Sequence, residues 1–224
     1  MNARDAILTK IRQQIGGDAN ITKRRAAVAN RLMKAPVGII PKRGQINNRQ
    51  RLALFIDKAE AVQTTVARVK SYSDIAEAVA NYLRSRNLPQ EIRMGKDERL
   101  AKSGWPKTPN LSLNFGRSIG DDLVGLSHAD CGIAETGTLL LSSGEDNPTT
   151  LNFLPENHII ILNADNVEGS YEAAFARVRK NYGKGKMPRT VNLITGPSRS
   201  GDIEQTILLG AHGPRSLHLI VVGG

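Results

Sequence analysis

Short apolar runs separated by helical stretches constrain this chain more than any other feature. Leu139–Leu141, His158–Leu162, Val191–Ile194 and Leu217–Val222 are each three to six residues long and dominated by aliphatic side chains. A run of that length without polar alternation suits a strand covered on both faces. Asn110–Gly116 instead alternates Leu111, Leu113 and Phe115 with polar neighbours, the period of a half-buried strand. Glu91–Met94 and Leu123–Leu126 read as further short strands. Strands alternating with helices predict an α/β fold, a mainly parallel sheet flanked by helices.

The helices carry their own signals. Ile7, Leu8, Ile11 and Ile15 form a stripe on a first helix that Gly16–Asp18 should stop. A second helix is expected over Thr22–Lys34, and Ala35–Gly44, with two prolines and two glycines, reads as a linker or a surface-lying arm. The spacing of Leu54, Phe55, Val62, Val66 and Val69 predicts one long helix over Gln50–Lys70. Asp74 with Glu77 resembles a capping box opening a helix to Arg86, and Tyr171–Tyr182 is amphipathic. This gives an N-terminal helical arm and linker over 1–50 and an α/β domain over 51–224. The two short arm helices bury little alone, so they dock on the domain, swap onto another copy in a homo-oligomer, or meet a partner.

Composition narrows the class. One cysteine, Cys131, excludes a disulfide framework and an iron–sulfur cluster held by this chain alone. The first residues mix charges of both signs without an apolar segment, unlike a signal peptide, and no apolar run approaches the ~20 residues of a membrane span. A reduced, cytoplasmic protein is expected. Residues 1–100 hold 20 Lys and Arg against 9 Asp and Glu, whereas 101–224 hold 11 against 12. The positive excess therefore belongs to the N-terminal part and suits a protein-docking or solvated face. Aromatic residues are only 4%, which disfavours base stacking and hence nucleic acid.

Three glycine-containing bends concentrate polar side chains. The first places Glu135 beside Thr136, Gly137 and Thr138 at the mouth of a buried strand. A carboxylate there needs hydrogen bonds or a cation, and either a ligand site or a capped turn that aligns two strands meets that need. The second, Gly196–Glu204, offers Gly196, Ser198, Arg199 and Ser200 to a small anion, or is a tight strand-to-helix turn capped by Ser200 or Asp202. It lacks the Gly-Lys-Ser/Thr ending of a P-loop. The third, Gly210–Arg215, adds His212 and Arg215. His128 and Cys131 are too few for a metal site, and a nucleophile reading of Cys131 needs the fold to bring His128 near it.

In order and spacing, Ala129–Thr138, Leu154–Ile160, Thr195–Glu204 and Gly210–His218 together resemble the lactate-utilisation protein C family, built on the LUD domain. The resemblance runs from about residue 85 to the end, and Ser200-Gly201 stands where Thr-Ala is more usual. It implies a fold like that of ribose-phosphate isomerase and CoA-transferase. It also implies a role in oxidising L-lactate to pyruvate within a complex, with iron–sulfur partner proteins and no cluster or metal in this chain. By analogy with the fold's enzymes, Glu135 is the position for a base or nucleophile. The competing expectation is a stand-alone isomerase- or transferase-like enzyme acting on a small phosphorylated or carboxylated substrate through Glu135. In it, Thr136, Gly137, Thr138, Gly196, Ser198, Arg199, Ser200, His212 and Arg215 hold the anion.

Overall fold

The computed structural model describes residues 2–15, 20–34, 36–183, 185–203 and 206–224. The chain divides into two compact units that meet between Ile39 and Ile40, so the expected boundary at 50/51 falls inside a helix of the second unit. The first unit contains α1 (Ala3–Gln14) and α2 (Ile21–Lys34), neither of which buries a residue. Asn2 caps α1 by accepting from the Asp5 amide at 2.9 Å. The stop expected at Gly16–Asp18 lies outside the described residues.

The second unit runs α3 (Asn48–Ala61), β1 (Thr65–Val69), α4 (Ile75–Ser85), β2 (Glu91–Met94), β3 (Ser112–Phe115), β4 (Val124–His128), β5 (Cys131–Ile133), β6 (Thr138–Ser142), β7 (Asn157–Asn163), β8 (Val167–Glu168), α5 (Tyr171–Tyr182), β9 (Val191–Ile194), β10 (Arg199–Ile203), β11 (Thr206–Leu209) and β12 (Ser216–Val222). Six strands form a wholly parallel sheet in the order β1-β12-β7-β4-β2-β3. The alternation of side chains along β7 and β12 builds both faces. Ile159, Ile161, Ile220 and Val222 pack with Ile75, Val79 and Leu83 of α4. Ile160, Leu162, Leu217, Leu219 and Val221 pack with Phe55 of α3 and with Leu139 and Leu141 of β6. A second sheet, β8-β5-β6-β9, lies on that face and is covered in turn through Cys131, Ile133 and Leu140 by Ala174 and Val178 of α5.

The structure corrects three expectations. The long helix over Gln50–Lys70 ends at Ala61: Gln63 turns the chain at φ +70°, and Thr65–Val69 becomes β1, paired with β12. Thr64, Thr65, Val66 and Val69 are β-branched, and pairing with a buried strand outweighs their helical spacing. The capping box belongs to Ser71 and Asp74 rather than Asp74 and Glu77, since the Asp74 carboxylate accepts from the Ser71 amide (3.0 Å) and hydroxyl (2.9 Å). The strand-to-helix turn expected after Gly196 is instead the hairpin β10-β11, so Ser200 lies within a strand, and Glu204 lies outside the described residues.

Candidate functional site

β2 and β4 are hydrogen-bonded neighbours, yet the chain leaves β2 toward β3 on one side and β4 toward β7 on the other. The carboxyl ends of two such strands flank a topological switch point, the place where open α/β sheets bind ligands. Beyond β2 come Asp97 and Arg99; at the end of β4 come His128 and Asp130; Tyr72 arrives from the segment after β1.

Arg99 ties these segments together. Its Nε donates to Asp97 Oδ1 at 2.9 Å and its Nη2 to Asp97 Oδ2 at 2.6 Å, a two-pronged clamp on a side chain that is only 4% exposed. Nη1 reaches Asp130 Oδ1 at 3.0 Å, and Nη2 also approaches the His128 carbonyl at 3.3 Å. The second oxygen of Asp130 accepts from the Ser142 amide at 2.8 Å, which joins the parallel sheet to β6. Two carboxylates beside it raise the Arg99 pKa further above its ordinary value and keep the guanidinium charged.

His128 is buried next to this clamp. Its Nδ1 lies 2.7 Å from the Ala129 carbonyl, which can only accept, so Nδ1 carries the proton and Nε2 accepts from the Tyr72 hydroxyl at 2.8 Å. Burial, with Arg99 nearby, pushes the imidazole pKa down to about 4, while burial raises that of Tyr72. The pair is neutral near pH 7 with the shared proton on Tyr72. It can position a polar group or pass a proton, but it holds no ready nucleophile.

The sequence-predicted residues lie elsewhere. Glu135 is buried, and its carboxylate accepts from the Tyr171 amide at 2.9 Å at the start of α5, whose cap is Ser170. An anion there complements the helix dipole. Thr138, fully buried, joins hydroxyls with Thr136 (2.7 Å), Thr195 (2.7 Å) and Tyr171 (3.0 Å). Gly137 adopts φ +69°, and a Cβ there would lie 2.5 Å from the Ala59 amide nitrogen, so the bend seats against the end of α3. Gly196 packs on the Val62 carbonyl, to which Arg199 donates through Nη2. Ser198 joins the third bend: its amide donates to Pro214 O at 2.8 Å, and its Oγ accepts from the His212 amide at 3.4 Å. The Arg215 amide donates to Glu156 O at 2.8 Å, at the amino ends of β7 and β12. The structure thus joins the first bend to the second through Thr138–Thr195 and the second to the third through Ser198. Glu135, Arg199 and His212 share no hydrogen-bond partner among the described residues.

Cys131 packs against α5, and burial pushes its thiol up to about 12. Both ring nitrogens of His128 are engaged by other groups, so no Cys–His pair forms. Among the described residues, no three His, Cys, Asp or Glu side chains cluster as metal ligands. His158 and His218 sit in strands, held by Ser127 Oγ (3.0 Å) and Thr65 Oγ1 (2.8 Å). The residues that sequence reasoning missed, Tyr72, Asp97, Arg99 and Asp130, come from three separated segments. For Asp97, Arg99 and Asp130 the only early signal was a charge just after a predicted strand; Tyr72 had none, because the segment before it read as helix.

The family profile for the LUD domain matches residues 52–222, nearly the whole second unit. The chain belongs to the LUD domain family. Curated relatives include lactate utilization protein C of a Geobacillus species, 38% identical over 134 residues, which are 55% of each chain. The protein of that name from Geobacillus thermodenitrificans is 37% identical over 100 residues, 44% of this chain and 42% of the relative. This LUD chain thus aligns with about half the length of those relatives. A crystal structure of a DUF162 family protein from Deinococcus radiodurans superposes with a TM-score of 0.57 at 21% identity, covering 80% of this chain and 99% of that one; the likeness is one of fold.

Proposed function

We propose that this LUD domain protein serves L-lactate utilisation. In this reading it is a cytoplasmic component of a system that oxidises lactate to pyruvate beside iron–sulfur partner proteins, and it holds no cluster itself. The observation that carries the reading is the family match across 52–222, together with relatives named lactate utilization protein C. The local chemistry supports a component rather than an autonomous catalyst. The lone thiol is buried and protonated, Glu135 is engaged by the α5 amide, and His128 is neutral and tethered. Electrons would then travel in the partners. The test is capture of the tagged full chain from lactate-grown cells, with iron content and lactate oxidation assayed in the eluate. Co-purification of iron and activity is expected. An iron-free, inactive eluate at native expression level contradicts the complex.

A further inference from the structure

A cleft of about 490 Å³ opens beside the carboxyl ends of β2 and β3, next to the Asp130–Ser142 junction, and two arginines line it. Arg117 lies two residues beyond β3, and Arg189 comes from the segment entering β9. Ser143, Thr149 and Thr190 carry hydroxyls in the lining; among the described residues no carboxylate lines the cleft, and the exposed Asp146 carboxylate packs against Gly144 at its rim. Neither arginine makes an ion pair among the described residues.

The walls are fixed. Ser143 and Thr190 exchange two bonds, amide to carbonyl at 2.9 Å and amide to Ser143 Oγ at 2.9 Å. Because Ser143 Oγ is an acceptor there, its own proton is free to donate. Gly95, just past β2, packs so closely on the 146–148 backbone that a Cβ would lie 1.8 Å from Asp146 O, which holds this loop against the sheet edge.

Two fixed-charge forks with several hydroxyls in the lining match an anion with two charges and three terminal oxygens. The volume is in the range of small-molecule sites, so the anion has room for a body behind it. We infer that this cleft binds a phosphate dianion, free or at the end of a small metabolite. The inference stands apart from the lactate assignment and does not depend on it.

The test is calorimetric titration of the full chain with inorganic phosphate, glycerol phosphate and acetate at low ionic strength. Binding of either phosphate compound at millimolar levels or tighter is expected. It should weaken at least tenfold in both Arg117→Gln and Arg189→Gln, and acetate should bind more weakly. Both arginines are exposed, so the variants should keep the wild-type melting temperature, and this confirms that any loss is local. Tighter binding by glycerol phosphate marks a metabolite site, and equal binding marks free phosphate. No heat from either compound up to about 10 mM, or unchanged binding in both variants, overturns the inference. Acetate binding as tight as phosphate overturns the dianion class.

Discussion

Replacing Arg99 with Leu tests the clamp at the switch point most sharply. The substitution removes five hydrogen bonds and leaves two carboxylates facing one another: Asp97, 4% exposed in its side chain, and Asp130, 21% exposed. Deleting one partner of a buried ion pair costs about 3–5 kcal/mol, because the remaining charge stays desolvated. Arg99 is itself 35% exposed, so water reaches part of the network and the lower end, about 3 kcal/mol, applies. At roughly 2–4 °C per kcal/mol for a domain of this size, the melting temperature should fall by about 6–12 °C. Adding Asp97→Asn should recover part of the loss. Thermal unfolding followed by circular dichroism gives both quantities. A fall of less than about 2 °C in the single variant, or no recovery in the double, refutes the clamp as a buried electrostatic unit.

Three buried imidazoles predict acid lability. His128, His158 and His218 are pushed by burial to about 4, about 3 and about 4, whereas the unfolded chain titrates near 6.5. The unfolded state therefore binds more protons between those values, and stability is lost as pH falls from about 6.5 toward 4, by on the order of 3 kcal/mol per histidine. A flat melting temperature across that interval contradicts this. Glu135→Gln keeps an acceptor for the Tyr171 amide but removes the charge at the start of α5, so it should cost about 0.5–1 kcal/mol and spare lactate-dependent growth. Abolished activity with an intact melting point would instead favour Glu135 as a base. Gly137→Ala forces a Cβ into the α3 backbone at φ +69° and should cost about 2 kcal/mol or more, read from urea unfolding.

Much of the parallel sheet was legible because burial on two faces leaves its mark in a short segment. Leu217–Val222 and His158–Leu162 announce β12 and β7 without reference to anything distant. β1 was hidden because Val62, Val66 and Val69 satisfy helical spacing as well as strand propensity, and only β12, some 150 residues later, decides between them. The same non-locality explains why Leu139–Leu141 and Val191–Ile194 were read as strands but not as members of a separate sheet. The candidate site was less legible still. Glu135 stood out in the sequence as a carboxylate beside a buried strand, and a helix amide meets its need. Arg99 and Asp130 looked like ordinary surface residues until the order β4-β2 made their segments neighbours, and Tyr72, which follows β1 at the far end of the sheet, gave no local sign of its bond to His128.

Growth on L-lactate as sole carbon source tests the metabolic reading most directly. Deletion of the gene should abolish growth on lactate, leave growth on glucose intact, and be reversed by the wild-type chain supplied in trans. Normal growth of the deletion strain on lactate contradicts the account.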